Sequence, residues 1–207
     1  MEKNESDIIL QSMDLFMELG IKSVTMDDLS RKMGISKKTL YKYVNDKNEL
    51  VDKVLTFSCE CDAQEVDKIC ALGLNAIDEA YEISNFVIEH IRTMHPSVAF
   101  DLRKYHSEAW LKFKHMKQNK ITNCFTNNIK KGIAEGLYRD NLAIPIIVNY
   151  YVNRFDLMFN EDLFPRDQFA PADIYLEIFR YHIRGIASEK GAIYLTQKMK
   201  KELKKSA

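Results

Sequence analysis

Residues 24–47 read VTMDDLSRKMGISKKTLYKYVNDK, and the fold turns on them. Thr25, with Asp28 three residues on, has the form of a capping box, so a helix is predicted there with Met26, Leu29 and Met33 facing inward. Gly34 supplies a turn. Ser36 opens a second helix, held down by Leu40 and Val44, one turn apart. Asp46 with Glu49 opens a third. Two short helices joined by a tight turn are the arrangement that lays its second helix in the DNA major groove.

The same stretch concentrates positive charge. Between positions 31 and 47, Arg31, Lys32, Lys37, Lys38, Lys42 and Lys47 stand against Asp46 alone, in a chain whose 30 basic and 30 acidic residues cancel. A local basic patch on an otherwise acidic chain is the footprint of a focused nucleic-acid contact, not of a general polyanion binder. Lys37 and Lys38 occupy the first turn of their helix and Lys47 opens the next. The helix dipole disfavours a cation there by about 0.3–1 kcal/mol. A phosphate arriving at those positions resolves the conflict. With Leu40 and Val44 turned inward, Lys37, Lys38, Thr39, Tyr41 and Tyr43 point outward or lie along the rim. Lysines and hydroxyls reach base edges, while tyrosine hydroxyls and Lys47 grip phosphate. The plainer alternative is a solvated lysine face with Tyr41 as half-buried packing. The caps, the Gly34 turn and the paired tyrosines favour DNA.

Leu29–Leu50, with its core GISKKTLYKYVNDKNEL, resembles the N-terminal DNA-binding signature of the TetR (AcrR-like) transcriptional regulators. That signature runs Gly, a small apolar residue, Ser, two variable positions, Leu-Tyr, an aromatic pair and Lys-Glu-x-Leu. Ile9-Leu10 and Leu15-Phe16, ahead of Gly20 and Thr25, fit it too. The resemblance covers roughly the first quarter of the chain; beyond it only helix count and lengths agree. It implies phosphate contacts from Thr25, Tyr41, Tyr43 and Lys47, and approach to bases or backbone by Ser36, Lys37, Lys38 and Thr39. Two departures stand out. Lys38 replaces a residue that is frequently small, so base preference does not carry over. Val44 replaces the usual Phe, which makes the packing of the second helix on the third smaller.

The rest of the 207 residues is poor in Gly (7) and Pro (4) and 46% hydrophobic, which favours long helices. The helical period predicts a first helix over Ser6–Leu19 with an Ile9, Met13, Phe16 stripe. The helix after Asp46 runs to about Cys70, where Gly73 breaks it. Asn75 caps a fifth helix reaching about Met94, and a short sixth starts at Pro96. A seventh covers about Ser107–Glu135, an eighth Leu142–Asn160 and a ninth Ala172–Ala187. The tail QKMKKELKKSA reads as a basic helical end or a frayed terminus. The expected fold class is all-α: an N-terminal three-helix helix-turn-helix DNA-binding domain (residues 1–50) and a larger helical C-terminal domain for dimerisation and ligand binding (residues 51–207).

The eighth helix is apolar on two faces. Ile144, Ile147, Val148, Tyr151, Phe155 and Met158 form one stripe; Ile146, Tyr150 and Leu157 form another. The ninth carries Tyr175, Ile178, Phe179 and His182 on one side and Ile174, Tyr181 and Gly185 on another. One core needs one stripe. Two stripes imply either deep burial in a larger monomer core or a homodimer through helices 8 and 9, and the resemblance implies the dimer. A two-fold dimer places two recognition helices about 34–36 Å apart on a pseudo-palindromic operator. Aromatic residues recur through the middle of the chain, and the resemblance implies that some enclose a ligand cavity. The candidates are Phe86, His90, Met94, Tyr105, Trp110, Phe113, Tyr151 and Phe155, with His90, Tyr105 and Tyr151 as polar handles. Few polar groups in an apolar cavity suit a hydrophobic or aromatic small molecule.

Other chemistry lacks support. Cys59 and Cys61, two apart on a helix, point about 200° from each other and do not share one ion. The five histidines show no HxxxH or HExxH spacing, and no Gly-rich phosphate loop or nucleophile elbow is present. No catalytic residues, no metal and no cofactor are therefore expected. Nor is a signal peptide or a membrane span, so a cytoplasmic location with reduced cysteines is expected. The functional expectation is a sequence-specific DNA-binding regulator, by default a repressor, released from its operator by a small hydrophobic ligand. The alternative is a ligand-independent architectural or cell-cycle DNA-binding protein of the same fold.

Overall fold

The computed structural model describes residues 4–205, apart from the side chains of residues 154–156 and 199–205. Ten α-helices follow one another there: α1 (Glu5–Leu19), α2 (Met26–Met33), α3 (Lys37–Leu40), α4 (Lys47–Cys70), α5 (Ala76–Thr93), α6 (Val98–Tyr105), α7 (Ser107–Ala134), α8 (Ile144–Asn153), α9 (Pro171–Ile186) and α10 (Glu189–Lys205). The all-α expectation holds. The one isolated β-bridge among the described residues joins Tyr138 to Ala187.

Helix starts follow local side-chain chemistry. Asn4 and Asp7 form a capping box at α1, and Thr25 and Asp28 form the expected one at α2. The Asn75 carbonyl oxygen accepts from Ile77 and Asp78 N–H at 3.0 Å. At α4 the Asp46 carboxylate accepts from Glu49 N–H at 2.8 Å, but Glu49 reaches past Asp46 to Asn45 N–H, also at 2.8 Å. The expected box is thus stretched by one residue.

Two expectations change. The buried face of α1 is Ile8, Ser12, Leu15 and Phe16, not the stripe through Ile9 and Met13. Those two residues flank the core, half-buried. The eighth helix does not stay α-helical to Asn160; residues Arg154–Phe159 tighten into a 3-10 helix. Just before that break Asn153 Nδ2 donates to the Asn149 carbonyl at 2.8 Å, and such a side chain competes with the backbone for its acceptor. Of the two readings of the tail, the helical end holds as far as Lys205, as the close of a longer helix, α10, that begins after Ser188. Ser188 starts it, with Gly191 N–H donating to its Oγ at 3.1 Å. Residues 206 and 207 of the tail lie outside the described residues.

The chain forms two compact units. One holds the chain up to Glu65 together with Thr93–Lys117; the other holds Val66–Arg92 and the chain from Gln118 onward. The core of the first gathers Ile8, Phe16, Leu29, Leu40, Leu50 and Val51, with Val98 and Leu102 of α6. Two ion pairs fasten α4 to the start of α7: Asp52 to Lys112 at 2.6 Å and Asp62 to Lys117 at 2.8 Å. The second unit buries Ile77, Ile129, Phe179, Ile183 and Leu195. Its buried carboxylate, Glu79, is matched by Lys131 at 2.6 Å and the Asn128 amide at 2.8 Å.

In the first unit His106 Nδ1 lies 2.8 Å from Asn48 Oδ1, a bond the neutral ring makes as a donor. Burial, then the Lys47 ammonium, holds His106 below the usual histidine value, with Asp101 opposing. The unfolded chain therefore takes up a proton at a pH where the folded chain does not. Stability from this group is complete above about pH 6.5 and declines as pH falls below it. His106→Asn is expected to shrink the difference between denaturation midpoints measured at pH 7.5 and 5.5. An unchanged difference would contradict this assignment.

Candidate nucleic-acid interface

Short-range bonds build the α2–α3 pair. Thr25 Oγ1 accepts from Asp28 N–H at 3.1 Å and donates to the Asp28 carboxylate at 2.6 Å. The hydroxyl, and then the Thr25 N–H donating at 2.9 Å, hold the Asp28 carboxylate below its usual range. Gly34 ends α2 at φ 66° and ψ 30°, its N–H donating to the Arg31 and Ser30 carbonyls. That left-handed conformation costs glycine nothing sterically and strains other residues. Ser36 Oγ accepts from Thr39 N–H at 3.0 Å and lies 2.9 Å from the Thr39 hydroxyl.

The recognition segment is shorter as a helix than the sequence suggests. α3 is a single turn, Lys37–Leu40, followed by turn hydrogen bonds from Lys42 N–H to Thr39 and from Tyr43 N–H to Leu40. Its anchors are as expected: Leu40 and Val44 are both buried in the core of the unit. Val44 fills its place without a phenyl ring.

Five of the eight expected contact residues sit along one short run of chain, 36–41. Ser36, Lys37, Lys38 and Tyr41 are exposed, Thr39 is half-buried beside Ser36, and Thr25 is exposed at the start of α2. Tyr43 and Lys47 are different. Tyr43 is half-buried against the core, and Lys47 turns its ammonium towards the Lys22 carbonyl at 3.4 Å. Burial lowers the Lys47 pKa, with Asp101 and Asp28 opposing.

Two residues that the sequence reading missed shape the charge here. Asp27 pairs with Lys37 at 2.5 Å, both about half exposed. An exposed pair of this kind is worth about 0–1 kcal/mol, so it holds Lys37 only weakly. Lys22, in the α1–α2 loop, donates its N–H to the Asp101 carboxylate at 2.9 Å and its ammonium to Tyr105 Oη at 2.8 Å. The Asp27–Lys37 spacing of ten residues across a turn is no sequence signal.

The residues expected to bind a ligand divide between the two units. In the first, Met94, Trp110 and Phe113 pack against the hydrophobic core. Tyr105 is exposed on Lys22. In the second, the Phe86 and His90 rings meet at a tilt with centroids 4.3 Å apart, and Tyr151 is buried. The Phe155 side chain lies outside the described residues. Tyr151 lines a cavity of about 20 Å³ between α5, α7, α8 and α9. Cys59 is buried, Cys61 and Cys124 are half-buried and Cys70 is exposed. Burial, then Cys70 and Glu79, push the Cys124 thiol up to about 12. Among the described residues no His, Cys, Asp and Glu group could hold a metal ion, and no helix is long and apolar enough to cross a membrane.

With that geometry in place, the comparisons agree. Residues 8–54 match the family model described as bacterial regulatory proteins, tetR family. The chain is 24% identical over 188 residues to the uncharacterized HTH-type transcriptional regulator YvaF of Bacillus subtilis (strain 168), covering 89% of this chain and 96% of that one. A transcriptional regulator from Cytophaga hutchinsonii ATCC 33406 superposes with a TM-score of 0.68 at 19% identity, covering 87% and 97% of the two chains. The regulator FadR from Bacillus subtilis, in complex with stearoyl-CoA, gives 0.67 at 13% identity, covering 88% and 100%. These structures share the fold. The capped α2, the left-handed Gly34 turn and the Leu40-anchored α3 fall inside the matched segment, so residues 8–54 form a tetR-family helix-turn-helix DNA-binding segment.

Proposed function

We propose that this regulator is a repressor that binds a pseudo-palindromic operator as a homodimer and leaves it when a small, largely hydrophobic molecule binds its helical body. Residues 1–50 serve as the DNA-binding part and residues 51–207 as the dimerising and sensing part. The observation that carries the DNA contact is the run Ser36–Tyr41, which keeps its polar side chains on the surface over a buried Leu40. Ser36, Lys37, Lys38 and Thr39 face bases or backbone, and Thr25, Tyr41, Tyr43 and Lys47 face phosphates.

Dimerisation through α8 and α9 is supported by the second apolar stripe, which this single chain leaves uncovered. Ile146 is 71% exposed, Tyr150 64% and Tyr181 79%. Ligand sensing is supported by the apolar cavity at Tyr151. The solved relative bound to stearoyl-CoA suits a hydrophobic effector.

Selection from random duplexes identifies the operator, and titrations at several salt concentrations test the contacts. Lys38 is exposed, so Lys38→Ala is expected to leave stability within about 0.5 kcal/mol of the parent. If Lys38 meets a phosphate, the salt slope falls by about 1 per half-site; if it meets a base, specificity relaxes at one position at a cost of about 1–3 kcal/mol. Unchanged affinity, slope and specificity in both Lys38→Ala and Lys37→Ala would remove this face from the DNA.

A further inference from the structure

Ser84, on α5, is 2% exposed, and its Oγ has no hydrogen-bond partner among the described residues. Three helical hydroxyls elsewhere in the chain turn back onto the carbonyl four residues earlier. Ser12 does so at 2.7 Å, Thr56 at 2.9 Å and Thr196 at 2.9 Å. Ser84 instead lines the cavity of the second unit. A buried hydroxyl left unmatched costs stability, and one set at a cavity wall is placed to meet a partner that enters the cavity.

The rest of the wall defines that partner. Tyr151 and Tyr175 also line the cavity, their hydroxyls 3.5 Å apart. The Tyr151 ring stacks on Phe125 with centroids 3.6 Å apart. Asn128 lines it as well, but its amide is committed, donating to Ala76 O and Glu79 while its carbonyl oxygen accepts from Tyr138. Cys124 is a neutral thiol. No Lys, Arg, Asp, Glu or His lies in the lining. A charged ligand would be buried there with no counter-ion, which is prohibitive. A ring with one polar atom is not.

We infer that this cavity is the polar end of a binding site for a small neutral molecule, aromatic or alicyclic, whose one hydroxyl or carbonyl pairs with Ser84 Oγ beside the Tyr151 and Tyr175 hydroxyls. The inference rests on the ligand-sensing reading above and gives it a chemical class. At about 20 Å³ the space holds about one water. A ring therefore enters by parting the aromatic walls.

The test is thermal unfolding of the full chain at neutral pH with phenol, toluene or benzoate. Phenol is expected to raise the melting temperature by about 3–6 °C at a tenfold excess over its Kd. Toluene is expected to do less and benzoate nothing. Ser84→Ala is expected to weaken phenol about tenfold and toluene not at all. Without a probe Ser84→Ala is expected to melt no lower than the parent, since it removes an unmatched group. Equal action by the three probes, preference for benzoate, no response to any, or a phenol advantage that survives Ser84→Ala would each overturn the inference. Release from the operator is scored separately. Phenol that binds as expected but leaves operator affinity unchanged would sink ligand-driven release and spare the site.

Discussion

Replacing Ile146 and Tyr181 together by arginine is expected to leave the regulator monomeric in sedimentation equilibrium and to weaken operator binding by about 10²–10⁴-fold. Both side chains are large, apolar or aromatic, and mostly exposed on α8 and α9, where a second copy would cover them. A two-fold axis doubles the substitution, so four guanidinium groups would meet in the interface with no acidic partner supplied. Burying such charges unpaired costs far more than the apolar contact returns. Each monomer would still hold its half-site, but would lose the effective concentration conferred by its twin. Leu72→Arg is the control, because Leu72 is also exposed, at 64%, and lies on neither helix. A double variant that still sediments as a dimer would move the interface off α8 and α9.

Leu40→Ala is expected to destabilise the first unit by about 2–5 kcal/mol and to abolish operator recognition at physiological temperature. Leu40 is fully buried and is the last residue of a helix only one turn long. Its truncation leaves a cavity where α3 is seated. Chemical denaturation gives the loss of stability. Hydrogen exchange over α1, α2 and the Tyr41–Tyr43 turn localises it. The comparison with Lys38→Ala is informative: one variant loses DNA through structure, the other through contact alone. Intact operator affinity in Leu40→Ala would mean that α3 is not the element that meets the duplex.

What the sequence conveyed follows from how local each signal is. Caps are short-range bonds, and Thr25, Ser36, Asp46 and Asn75 each start a helix as expected. The two apolar stripes on the eighth helix were legible because the period alone separates Val148 and Tyr151, buried, from Ile146 and Tyr150, exposed. The phase of α1 was not legible. Ile8 and Ile9 are both apolar, and only packing by the rest of the core chooses Ile8. Only the basic end of α10 was legible; its start was missed because Ser188 went unweighed. The pocket was the least legible. Aromatic residues at helical spacing look alike whether they fill a core, as Trp110 and Phe113 do, or line a cavity, as Tyr151 does. Ser84 gave no warning, since an unmatched hydroxyl is a property of three dimensions.

The brevity of α3 has a consequence for how this regulator could change its targets. One helical turn does not hold its shape unaided, so its order is borrowed from Leu40 and Val44, seated in the core. Ser36 caps the turn, while the exposed side chains at 37, 38 and 41 contribute little to that seating. Randomising them should yield folded variants in high yield, differing in the duplexes they choose. Vocabulary and grammar are kept in separate residues, and a lineage can rewrite the first without relearning the second.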